Sequence, residues 1–129
     1  MLLRAAATFA FIALLGGCAL LPSRAPLGLI DLAERPAEGA LLTGMRAYDD
    51  AQYAQAEQAL TGALRAGLVS PRDRAAAHKY LAFIYCTSQR LPACEDEFRA
   101  ARAEEPAFAL SRAEGGHPQW GPVWQRVRQ

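Results

Sequence analysis

Cysteines, histidines and clustered acids are the side chains in this 129-residue chain whose types could do chemistry. Cys86 and Cys94 stand eight residues apart. Across a helix turn that separation brings two sulfurs within reach of a disulfide. The same pair also reads as two buried free thiols, or as part of a metal or redox site. His78 and His117 are the natural candidates to complete a zinc site, yet neither C-x-x-C nor H-x-x-x-H spacing is present. His78 reads more simply as a hydrogen-bonded helix residue, and His117, just before Pro118, as a cap or turn donor. Glu95, Asp96 and Glu97 invite an acid–base reading, but they also suit the first turn of a helix, where carboxylates meet the positive end of the dipole. Glu104 and Glu105 read as a solvated helix end. No glycine-rich phosphate loop and no Ser/His/Asp arrangement occurs. The expectation is a protein that is not an enzyme, with no catalytic residue, no metal, no cofactor and no small-molecule substrate.

Composition narrows the class further. Apolar residues make up 52% and charged residues 21%, the balance of one small globular domain. Fourteen basic residues face thirteen acidic ones, a net charge of +1. That excludes the basic excess of a nucleic-acid binder and the polybasic cluster of an anionic-lipid binder.

The elements that must position these residues are helices. Ala75 to Pro106 reads as a helix, a short turn and a second helix folded back on the first. Leu81, Ala82, Tyr85, Cys94, Phe98, Ala101 and Pro106 fall at the spacings of a tetratricopeptide (TPR) repeat. Small residues let the two helices approach, large ones fill the space beside them, and Pro106 ends the second helix. Residues 37–66 repeat the pattern, with Gly44 and Ala56 at small positions, Tyr53 at the turn, then Leu60 and Ala63. The first repeat is the poorer match, since Ala47 stands where the second has Tyr85; Tyr48 substitutes if the helix rotates. Ala37 and Ala75 are 38 residues apart. The TPR period is about 34, so the surplus falls in the linker Gly67 to Pro71. There Gly67 ends a helix, and Ser70-Pro71 reads as N-cap and first helical residue. Beyond Gly115-Gly116 and Pro118, Trp120, Val123, Trp124 and Val127 recur with helical period as a terminal cap. The expected fold is all-α: a short TPR-like stack of two hairpins plus a C-terminal capping helix, about five helices in residues 37–129.

The N-terminus carries a different message. Arg4, then the uncharged run Ala5 to Leu15, then Leu15-Gly16-Gly17-Cys18, has the order of a lipoprotein signal peptide ending in a lipobox. The reading is a signal peptide over residues 1–17, cleaved before a lipidated Cys18; the alternative is an uncleaved N-terminal anchor with an incidental Cys18. A proline-punctuated tether follows over residues 18–36, whose Leu27, Leu29, Ile30 and Leu32 suit docking on the domain or on a partner. Several acyl chains make a durable membrane anchor. Many bacterial lipoproteins carry an aspartate after the cysteine for inner-membrane retention; Ala19 stands there instead, so by that resemblance the expected destination is the outer membrane with the domain in the periplasm. In that oxidising compartment, with Cys18 acylated, Cys86 and Cys94 become the remaining pair.

The lipobox, the TPR-like core and the words HKYLAFIYCTSQRLPACEDEFRAA and GGHPQWGPVWQRV together resemble the TssQ-type family of bacterial lipoproteins associated with type VI secretion. The resemblance covers roughly residues 40–127 and the signal. It implies an outer-membrane accessory or assembly factor of a contractile injection apparatus, with protein partners among its envelope components. A general envelope-biogenesis lipoprotein, serving pilus assembly, outer-membrane protein insertion or cell-wall synthesis, is the alternative. On the TPR template, Lys79, Phe83, Cys86 and Thr87 line the concave face. Lys79, Phe83 and Thr87 are therefore the candidate protein-binding residues, with Phe83 either an exposed aromatic for a partner or covered by the tether or first repeat. Trp120 and Trp124 are candidate interface anchors or core residues of the cap.

Overall fold

The computed structural model describes residues 35–129. The expected signal peptide, Cys18 and the tether to residue 34 lie outside the described residues. From residue 35 the chain forms six helices: α1 Pro36–Asp49, α2 Tyr53–Ala66, α3 Pro71–Thr87, α4 Leu91–Glu104, α5 Arg112–Gly115 and α6 Gly121–Val127. No strand occurs among them. Helices α1 and α2 form one antiparallel hairpin, α3 and α4 the other. The hairpins stack through α2 on α3, and α6 closes the far side against α4. The fold is all-α, a short TPR-like stack.

Local sequence explains most of the boundaries. Pro36 is the first residue of α1 and not the end of the tether, because its missing N–H costs nothing at that position. Gly67 ends α2 at φ 90°, and the Ser70 side chain caps α3 by accepting from the Asp73 N–H, with Pro71 following. The linker between the hairpins is fastened at both ends: Leu68 is buried, and Arg74 Nη1 donates to the carbonyls of Leu68 and Val69 at 2.8 and 2.9 Å. The sixth helix beyond the expected five is α5. It is one turn, held by a capping box in which Ser111 and Glu114 satisfy each other's backbone N–H groups.

The two hairpin turns are the same object. Ala51 and Gln89 occupy matching places with φ of 59° and 61°. In each, the next N–H reaches back to the helix: Gln52 to the Ala47 carbonyl at 2.7 Å, Arg90 to the Tyr85 carbonyl at 2.8 Å. This is a Schellman ending, in which a left-handed residue lets the final carbonyls find donors. The 38-residue repeat therefore holds in backbone detail.

Two buried clusters fill the interior. One joins α1, α2 and the near side of α3, around Leu41, Leu60, Leu81 and Ile84. There Gly44 lets α1 close onto Leu60: a Cβ at Gly44 would meet Leu60 Cγ at 2.6 Å and the Leu60 backbone nitrogen at 3.1 Å. The other joins α3, α4 and α6 around Phe83, Phe98, Trp120 and Trp124. Tyr48 packs against both, which is the substitution for the missing large residue at Ala47. Burial pushes its hydroxyl up to about 12.

Candidate protein-interaction surface

The concave face of the second hairpin is occupied by the chain's own C-terminal segment. Phe83 is 3% exposed and does not present an aromatic surface to a partner. Among the described residues its main cover is Trp120, whose ring stacks on it at 4.2 Å. Tyr48, Tyr80 and Phe98 surround its edges. Trp120 and Trp124 are 8% and 4% exposed, so both are core residues of the cap and not free anchors. Trp124 meets Phe98 at 5.4 Å and Phe108 at 5.5 Å. An indole this deep needs a partner for its N–H, and Trp120 Nε1 donates to the Glu114 carbonyl at 2.8 Å.

The polar candidates are engaged by the same segment. Lys79 Nζ donates to Glu114 Oε1 at 2.7 Å and lies 5.0 Å from the Tyr80 ring centre. Burial pushes the Glu114 carboxyl up. The Lys79 hydrogen bond and charge and the Ser111 N–H more than offset that, and the carboxyl titrates below its ordinary range. Thr87 Oγ1 is 3.3 Å from Gln119 Oε1. Phe83, Trp120 and Trp124 therefore belong to one internal interface between α3, α4 and residues 107–127, and Lys79 and Thr87 bond to that segment at its rim.

Cys86 and Cys94 lie beneath it. Their sulfurs are 2.08 Å apart, at bonding distance, and the residues are 1% and 0% exposed. Cys86 turns toward the concave side as the template suggests, yet it meets Cys94 because the tight turn between α3 and α4 brings their Cα atoms to 5.2 Å.

The remaining chemistry-bearing residues are hydrogen-bonded or ion-paired within the domain. His78 Nδ1 is 2.6 Å from Glu97 Oε2, a pair that ties α3 to α4. His117 is not a turn donor through its Nδ1: that atom accepts from the Gln119 N–H at 3.2 Å, and the ring lies flat on Trp120 at 3.4 Å. Glu95, Asp96 and Glu97 are not in the first turn of α4, which starts at Leu91 and has no acid there. They sit one turn later, where Glu95 meets Arg99 and Arg126. Glu104 pairs with Arg74. Among the described residues, no three His, Cys, Asp or Glu side chains are grouped to hold a metal ion.

Two contacts were out of reach of sequence reading. Arg90 grips Glu57 with both terminal nitrogens, at 2.7 and 3.1 Å, and lies 4.2 Å over the Tyr85 ring. The Arg90 hydrogen bond, ahead of its charge, holds the Glu57 carboxyl below its ordinary value. This clamp joins α2 to the second turn across 33 residues. The Ser111–Glu114 capping box was readable as S-x-x-E, but its role as the seat for Lys79 was not.

What stays open is a cleft of about 530 Å³ between the start of α3 and the chain after α4, lined by Arg72, Ala75, Ala76, Lys79, Glu105 and Phe108 among others. Tyr53 and Leu91, 41% and 42% exposed, mark the two turns. No family model, no curated protein and no solved structure matches this chain. The class that fold and surface define is an all-α pair of TPR-like hairpins whose inner groove is filled from within.

Proposed function

We propose that the protein is a non-enzymatic lipoprotein of the bacterial outer membrane, fastened by an acylated Cys18 with its helical domain on the periplasmic side. In that reading it serves as an accessory or assembly factor of a type VI secretion system by binding one of its envelope components. The observation that carries the periplasmic part is the Cys86–Cys94 pair at bonding distance, since such bonds persist in oxidising compartments. The lipobox residues Leu15 to Cys18 support the anchor, and the secretion assignment rests on the family resemblance. Helical-hairpin stacks bind partners by surface complementarity, and this one offers open faces at the α3 cleft and the two turns.

Crosslinkers placed at Arg72, Tyr53 and Leu91 in the living host test this directly, because all three positions are accessible. Capture of membrane-complex components of a contractile apparatus is the expected result. Capture confined to pilus, outer-membrane insertion or cell-wall proteins moves the assignment to the general envelope reading. A Cys18→Ser variant is expected to leave the membrane fraction and lose function; retention of both defeats the anchor.

A further inference from the structure

The disulfide is sealed by something removable. On the page are two sulfur-bearing residues 1% and 0% exposed, roofed by Trp120, Val123 and Trp124. The roof is the last stretch of the chain, a one-turn α5 and a seven-residue α6 joined to α4 by residues 105–111. Its backbone packs on α4 and comes near no helix of the first hairpin, while the Tyr48 side chain of α1 reaches the same aromatic cluster. Its rim is polar: Lys79 to Glu114, Thr87 to Gln119, Arg102 Nη1 to the Val127 carbonyl at 2.6 Å, and Arg126 to Glu95. The other approach, through the turn at Ser88–Arg90, is pinned by the Glu57–Arg90–Tyr85 clamp and the Schellman bonds. Short units docked on one side of a fold open at lower free energy than the whole fold.

We propose that residues 107–127 form a lid, and that a dithiol reaches Cys86–Cys94 only when this lid lifts. The step is ordinary exchange: a dithiol's thiolate attacks one sulfur, the protein S–S bond breaks, and a mixed disulfide forms. The reagent's second thiol then closes a ring on itself. Two electrons and the dithiol's two protons pass to the protein, leaving Cys86 and Cys94 as thiols. Because the lid also covers Phe83 and engages Lys79 and Thr87, opening unmasks the groove and the disulfide together. By linkage, whatever the bond contributes to seating the lid, the closed lid contributes equally to resisting reduction. The inference stands apart from the lipoprotein reading and survives its failure.

The test is the rate at which dithiothreitol reduces the native protein, read by alkylation and mass of the trapped thiols. Trp120→Ala is expected to accelerate reduction about tenfold or more, and Glu114→Gln, a milder change at the rim, about threefold. Gly44→Ala, which loosens only the first hairpin, and Glu57→Gln, which loosens only the turn, should stay within about twofold of the parent. Should Trp120→Ala not fold, Glu114→Gln against the two controls decides alone. The proposal is overturned if rates follow thermal stability wherever the substitution lies, since access is then by global unfolding. It is equally overturned if Glu57→Gln is the fastest, or if no variant differs from the parent.

Discussion

The two hairpins share one backbone pattern and differ at three matching places packed between their helices. At matching places the first has Gly44, Ala56 and Leu60; the second has Ala82, Cys94 and Phe98. The first closes by nearness, with α1 resting on Leu60 where only a glycine fits. The second is packed with larger side chains, Phe83 against Phe98, and is crossed by a disulfide. One backbone pattern is thus stabilised in two ways: close contact of small residues in one hairpin, a covalent tie under a roof of tryptophans in the other. The contrast follows from position. The first hairpin has the second hairpin as neighbour on its α2 side. The second buries its far side against the short tail, and large rings bury more area per residue than alanines do.

Breaking the covalent tie should give the largest effect. Replacing Cys86 and Cys94 together by alanine is expected to cost about 2.5 kcal/mol, from the entropy of a short closed loop. A fall in the urea midpoint with unchanged far-ultraviolet dichroism would show it. A loss near zero would mean the tryptophan roof holds this hairpin by itself.

Nearness in the first hairpin is tested by Gly44→Ala. Alanine is the better helix former by about 1 kcal/mol, so a stabilised protein is the naive expectation. Here the new methyl meets a Leu60 that is fully buried, and overpacking of this kind costs about 1–3 kcal/mol. We expect a net loss, read as a lower melting temperature. A gain would show that Leu60 moves aside and that close approach is incidental.

The shared turn makes the opposite prediction: equal effects in both hairpins. Ala51→Gly and Gln89→Gly each remove the strain of a left-handed non-glycine residue and should each stabilise by about 0.5–1 kcal/mol. Unequal gains in denaturant midpoint would mean that the turns, alike in backbone, carry different loads.

The smallest effect is electrostatic. Glu57 and Glu114 are held below their ordinary value of 4.5 by Arg90 and by Lys79 with Ser111. A carboxyl depressed in the folded state contributes stability above its unfolded value and loses it as the pH falls through the folded one. Melting temperature should therefore be level near neutrality and begin to drop below about pH 4.5. Both groups are partly exposed, so the drop is modest, and Glu57→Gln with Glu114→Gln should flatten it.

Much of this architecture is legible in the sequence. Pro71 behind Ser70, Gly67 at a helix end, and the small and large residues from Leu81 to Ala101 gave the hairpins and their order, because each is a constraint within a few residues of itself. The left-handed turns were not legible, since Ala51 and Gln89 are not the residues that announce such a conformation. Nor was the placement of Glu95 to Glu97, where Leu91-Pro92 starts the helix a turn earlier than the acids suggest.

The sequence by itself determined that this chain folds into repeated helical hairpins with a tryptophan-bearing terminal helix, since helical period, caps and breakers act locally. Only the tertiary structure decided that Phe83 faces inward beneath the chain's own tail, with Lys79 and Thr87 bonded to that tail at its rim. Those contacts join residues 32 to 37 positions apart. Nothing local to α3 says whether its inner face meets solvent, a partner or Trp120. Burial is a property of what arrives on the other side.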